Sequence, residues 1–81
     1  MSTDSCSLPN LTQRFLNRYA REFRARSPQV SRDELALFYK LFVAEVLSDK
    51  PGHFYDVFEE AYGTGFASLL SEITRCRGVL T

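Results

Sequence analysis

Val30-Ser31-Arg32-Asp33-Glu34-Leu35 is the segment that most constrains what this chain can fold into. Ser31 is a helix N-cap residue, Glu34 stands at the reciprocal position of a capping box, and Val30 and Leu35 have the spacing of a hydrophobic staple. The helical period follows at once. Leu35, Phe38, Tyr39, Phe42 and Val46 form one apolar stripe, and Leu37, Leu41 and Ala44 form a second on a different side. A helix apolar on two sides has to be buried on two sides. This segment is therefore expected to be the central helix, packed with one stripe on its own chain and with the other on a second protomer or partner. Asp49-Lys50-Pro51-Gly52 stops it.

The same period organises the flanks. Leu11, Phe15, Leu16, Tyr19 and Phe23 define a first helix, with Asn10 as its expected cap, Gln13 as the capping-box partner and Ser27-Pro28 as its end. Phe54, Tyr55, Val57, Phe58, Ala61 and Tyr62 define a third, with Asp56, Glu59 and Glu60 on its wet side. Tyr62-Gly63-Thr64-Gly65-Phe66 favours a break over one long kinked helix. The spacing resumes in Phe66, Leu69, Leu70 and Ile73, and Gly78 is the expected terminator. No segment alternates with period two. The expected fold is all-α: a bundle of three to four short helices, completed by dimerisation or by a partner. Its organisation reads as a disordered leader over residues 1–9, one helical domain over 10–78 and a tail over 79–81, with Leu35, Phe38, Phe42, Val46, Phe58 and Leu69 in the core.

Size sharpens the expectation of a partner. The chain has 81 residues, near the lower end of what folds on one core without disulfides or metals, and seven of them are Phe. That is a large aromatic surface for so small a monomer to cover. Leu37, Phe38, Leu41, Phe42, Tyr55, Phe58 and Tyr62 are the candidate apolar interface. Cys6 and Cys76 lie far apart in sequence, neither with a second Cys or a His at ligand spacing, so they read as separate thiols of a reducing compartment. The first residues are short and polar, unlike a signal peptide, and no apolar run approaches the roughly 20 residues that span a bilayer. An intracellular protein, cytoplasmic or nuclear, with no membrane attachment is expected. Asn10-Leu11-Thr12 fits the glycosylation acceptor pattern, which has no force without secretion.

Charge is sorted along the chain. From Leu11 to Arg32 there are six arginines against one acid, Glu22, and from Asp33 to Ile73 there are eight acids against Lys40 and Lys50, so a formal net charge of zero conceals a basic end and an acidic body. Oppositely charged surfaces steer partners and set their orientation. Arg14, Arg18, Arg21 and Arg24 occupy the polar face of the first helix. Arginine pairs bidentately with carboxylates and phosphates, so three uses compete for that face: solvation, docking on acidic helices of the same or a neighbouring subunit, or binding nucleic-acid phosphates. A free-standing nucleic-acid binder is usually basic overall, which ranks that use third.

Catalytic chemistry finds no foothold. His53, the single histidine, has no named companions. Glu59 and Glu60 are adjacent and diverge by about 100° around a helix, so they make no dyad. Gly63-Thr64-Gly65 follows no strand and lacks the lysine of a phosphate loop. No catalytic residue, metal ligand or cofactor is assigned. The expectation is a non-enzymatic protein–protein interaction module, a homodimer or an adaptor, and the alternative is a nucleic-acid-associated regulator working through the arginine face.

Three stretches resemble parts of known families. Ala44-Glu45-Val46-Leu47, Pro51 and the spacing of Phe54, Tyr55, Val57, Phe58, Ala61 and Tyr62 resemble the docking and dimerisation domain of regulatory subunits of cyclic-AMP-dependent kinase. That resemblance spans about residues 35–62 and implies an antiparallel dimer of helical hairpins offering an apolar groove to an amphipathic helix. The arginine helix before it departs from the pattern. Ser31 to Tyr39 resembles a stretch of the Hha and YmoA family of bacterial nucleoid-associated modulators. Val30 to Glu45 resembles the start of a long histone-fold helix, which Pro51-Gly52 cuts short. All three converge on one capped amphipathic helix, and none covers the chain.

Overall fold

In the computed structural model, which describes residues 6–80, the chain runs through α1 (Leu8–Arg26), α2 (Arg32–Leu47), α3 (His53–Tyr62), a 3-10 turn at Gly63–Gly65, α4 (Phe66–Arg75) and a single turn, α5 (Arg77–Leu80). No strand occurs among the described residues. The all-α expectation therefore holds. Completion of the bundle by a second copy or a partner is a separate matter.

The α2 start forms as its residues dictate. The Glu34 amide donates to Ser31 Oγ at 3.1 Å and the Ser31 amide donates to Glu34 Oε1 at 3.1 Å, closing the capping box. At α1 the expected start is corrected. The cap is Ser7, whose Oγ accepts from the Asn10 amide, and Gln13 donates to Asn17 instead of reaching back. The reason is Pro9. A proline in the first turn lacks an N–H that would have had no partner there, so it opens the helix and does not end a leader. Leu8 and Pro9, expected within the leader, are thus helical, while residues 1–5 lie outside the described part.

The break after α3 is built on Gly63, whose φ of 54° with ψ of −116° is strained for any residue with a Cβ. Gly78 does not end α4. That helix stops at Arg75, with Cys76 as its C-cap, and Gly78 lies inside α5, so residues 79 and 80, expected in a tail, are helical. Stopping there sets Cys76 against Cys6 and Arg77 against the end of α2. Cys6 and Cys76 form a disulfide with Cα atoms 5.2 Å apart across 70 residues of sequence. The reading of two separate thiols is corrected, and the argument for a reducing compartment drawn from it falls away.

The buried side chains form one cluster drawn from all four main helices. Leu35, Phe42, Val46, Phe58 and Leu69 are buried as expected, while Phe38 is half-buried and tilts against Phe54 with ring centroids 5.4 Å apart. Aromatic rings make the centre. Phe15 stacks on Tyr39 at 4.3 Å, and Phe42 meets Phe58 edge-on at 4.9 Å. Five of the seven phenylalanines (Phe15, Phe23, Phe42, Phe58 and Phe66) are buried within this one chain. The aromatic surplus is absorbed because α1 and α4 cover both sides of the α2–α3 hairpin.

Candidate functional site

The seven residues of the expected apolar interface separate in space. Phe42, Phe58 and Tyr62 are core and present no surface, which corrects that part of the expectation. Tyr62 is fixed from outside its helix, its hydroxyl donating to the Tyr19 carbonyl at 3.1 Å. Burial, with the charge of Glu22 second, raises its pKa well above the ordinary tyrosine value. Phe38 and Tyr55 are half-buried, Tyr55 meeting Phe66 edge-on. Leu37 and Leu41 alone of the seven are exposed, at 55% and 41%. They stand one turn apart on α2, with Ala44 also exposed on the next turn. The second stripe predicted to be buried is thus uncovered in the monomer.

The arginines are likewise divided by what surrounds them. Arg14 Nε donates to Glu72 Oε1 at 3.1 Å, a pair between α1 and α4. Tyr39 lies near this pair, and burial first, then the Glu72 charge, raises its pKa above the usual range. Arg26 donates to the Ala61 carbonyl and ties α1 to α3. Arg24 Nε donates to the Val30 carbonyl at 3.0 Å, and Arg32 Nη2 to Asn17 Oδ1 at 3.0 Å, so both brace the α1–α2 connection. Arg18 and Arg21, by contrast, make no hydrogen bond or ion pair among the described residues, and neither does Arg75 of α4.

Five of the arginines line two grooves on either flank of α1. Arg21, Arg24 and Arg32 line an open groove between α1 and the start of α2, floored by Leu16, Ala20 and Pro28. On the other flank of α1, Arg18 and Arg75 line a second groove with Ser68, Ser71 and Glu72. Arg18, Arg21 and Arg24 follow one another at i, i+3 spacing along α1 and join the two grooves, so five arginines from α1, α2 and α4 form a basic ridge that also holds Glu72. Sequence reasoning found three of them. Arg75 was missed because it is far along the chain, and Arg32 because it belongs to the next helix. Arg14, which was expected here, donates through Nε to Glu72 and lines neither groove.

Two charged residues, neither of them expected as a cap, hold the α2–α3 junction. The Glu45 carboxylate accepts from the amides of Gly52, Phe54 and Tyr55 at 3.1, 3.3 and 2.8 Å, capping α3 from the preceding helix. Arg77 donates to the Val46 and Leu47 carbonyls and to Asp49, capping the end of α2 from α5. The sequence signal for either is faint, since each is a single charged residue whose partner groups are backbone. His53 is exposed and packs edge-on against Phe54. Among the described residues no group of three His, Cys, Asp or Glu is placed to hold a metal ion, and no helix is long and apolar enough to cross a membrane.

Compared with known proteins, the chain matches no protein-family model, no curated protein and no solved structure.

Proposed function

We propose that this chain is a non-enzymatic protein–protein interaction module, working as a self-associating unit or as an adaptor. The observation that carries the reading is the exposure of Leu37 and Leu41 on the solvent side of α2, in a domain that buries five phenylalanines. Leucines side by side on a helix leave apolar area in water that a partner surface would remove, at roughly 25 cal/mol per Å². The residues that hold the fold are satisfied internally, whereas this strip is apolar surface of a main helix that the monomer leaves in water.

The test is the pair Leu37→Glu and Leu41→Glu, read by sedimentation at about 0.5 M salt, where contacts between charged surfaces are screened and apolar ones persist. Association of the parent chain, or of the chain with a partner recovered from lysate, is expected and should vanish in the double variant with the helical circular dichroism unchanged. A parent chain that stays monomeric at high concentration and recovers no partner would end this reading.

The nucleic-acid alternative draws support from the ridge of Arg18, Arg21, Arg24, Arg32 and Arg75. Against it stand the zero net charge and the acidic Glu72 within the ridge. Single-strand binders also set exposed aromatic rings beside their cations, and neither groove has one.

A further inference from the structure

We infer that the basic ridge is a docking surface for a second copy of this chain, whose α3 presents the complementary acidic face, so that copies associate head to tail. The inference rests on the interaction-module reading but uses a different surface from the Leu37–Leu41 strip. Asp56, Glu59 and Glu60 lie at i, i+3 and i+4 on α3, all exposed, and none makes an ion pair or side-chain hydrogen bond among the described residues. Arg18, Arg21 and Arg75 are unpaired in the same way. Both sets of charge thus remain available in the monomer. The tertiary structure keeps them apart, because the ridge faces the grooves that α1 makes with α2 and α4, whereas α3 meets α1 through Phe23, Arg26 and Tyr62.

One physical point favours a copy of the same chain as occupant, and two suit the ridge to anionic groups such as its carboxylates. Net charge is zero, so two copies meet without the long-range repulsion that a uniformly basic protein would suffer. The ridge is built of arginine, whose planar fork matches carboxylates bidentately. Arg24 and Arg32 each use one donor on the fold, which holds their remaining donors in place at the groove edge. Because the two faces differ, the contact is heterologous and does not close by a two-fold axis. It propagates as short chains or rings.

The test is a charge swap measured by sedimentation at low salt, about 20 mM, with concentration raised toward the millimolar range. The parent chain is expected to grow steadily in mass with concentration, without a plateau at the dimer, and to fall back at least about tenfold in association constant at 0.5 M salt. Two double variants, Arg18→Glu with Arg21→Glu and Glu59→Arg with Glu60→Arg, should each remain monomeric alone. Mixed in equal amounts they should associate again, since each reversed face then meets its opposite. The neutral variants Arg21→Gln and Glu59→Gln, which ask less of the fold, should weaken association in the same direction.

A parent chain monomeric under these conditions overturns the inference, as does failure of the folded variants to associate on mixing. Binding of an acidic peptide or of nucleic acid to the ridge without self-association also overturns it. The Leu37→Glu, Leu41→Glu variant keeps the salt-sensitive association if the inference is right. Loss of that association in the leucine variant and not in the charge variants would leave the interaction-module reading standing and remove this one.

Discussion

Glu45 shows how much one side chain can decide at the residue scale. Helix α3 begins after Pro51-Gly52 with no side-chain cap of its own, and its first amides would have been left without acceptors. The carboxylate from α2 takes two of them, those of Phe54 and Tyr55, together with the Gly52 amide, placing negative charge at the positive end of the α3 dipole. Gly52 is small for the same reason: a Cβ there would come within 2.9 Å of the Glu45 carboxylate carbon and one of its oxygens. Glu45→Ala is expected to cost about 1–3 kcal/mol in urea unfolding, the range for losing acceptors of partly buried hydrogen bonds to a charged group. Gly52→Ala should also destabilise, by displacing the cap. Its cost should shrink in the Glu45→Ala background, because the two substitutions act on one interaction. Additive costs in that double-mutant cycle would show that the cap is not what Gly52 protects.

At the scale of elements, α2 has two apolar sides with opposite fates. One stripe, through Leu35, Tyr39, Phe42 and Val46, is the floor of the core. The other, through Leu37 and Leu41, is solvated. Substitutions on the two sides should therefore differ in kind. Phe42→Ala is expected to cost about 3–5 kcal/mol, because a fully buried ring leaves a cavity beside Phe58 and Phe66. Leu37→Ala should stay within about 0.5 kcal/mol for the monomer, as surface changes generally do. Thermal unfolding of both at high salt and low concentration checks this. Equal costs would mean that the second stripe is covered within the monomer after all.

At the scale of the whole molecule, a single bond closes the four-helix body. Cys6 precedes α1 and Cys76 follows α4, so the disulfide encloses all four main helices in one loop. Long loops lose the most unfolded-state entropy on cross-linking, and a bond of this kind contributes about 2–4 kcal/mol. Reduction, or Cys6→Ser, should lower the free energy of unfolding by that amount, and the midpoint with it, while leaving helical content in place below the transition. A midpoint indifferent to reductant would show that the enclosed core stands without the staple. At this scale too, the sorted charge of the sequence becomes a basic ridge and an acidic helix face that do not meet in one molecule.

What the sequence determined by itself was local. The period of the apolar residues, the Ser31–Glu34 box, the stop at Pro51-Gly52 and the break around Gly63 depend on neighbours within a turn or two, and such interactions are written in adjacent letters. The Ser7 cap is local in the same sense, since Pro9 two residues on marks the opening turn of a helix. What only the tertiary structure decided was which of several apolar and basic faces would be used. Phe42 and Leu41 are adjacent and equally apolar, yet one lies in the core and the other in water, because burial depends on where α1 and α4 pack. Arg14 and Arg18 look alike in sequence, yet Glu72 pairs with the first and leaves the second unpaired. The Glu45 cap, the Arg77 cap and the Cys6–Cys76 bond join residues 7 to 70 positions apart, and a contact across such distances exists only once the chain has folded back on itself.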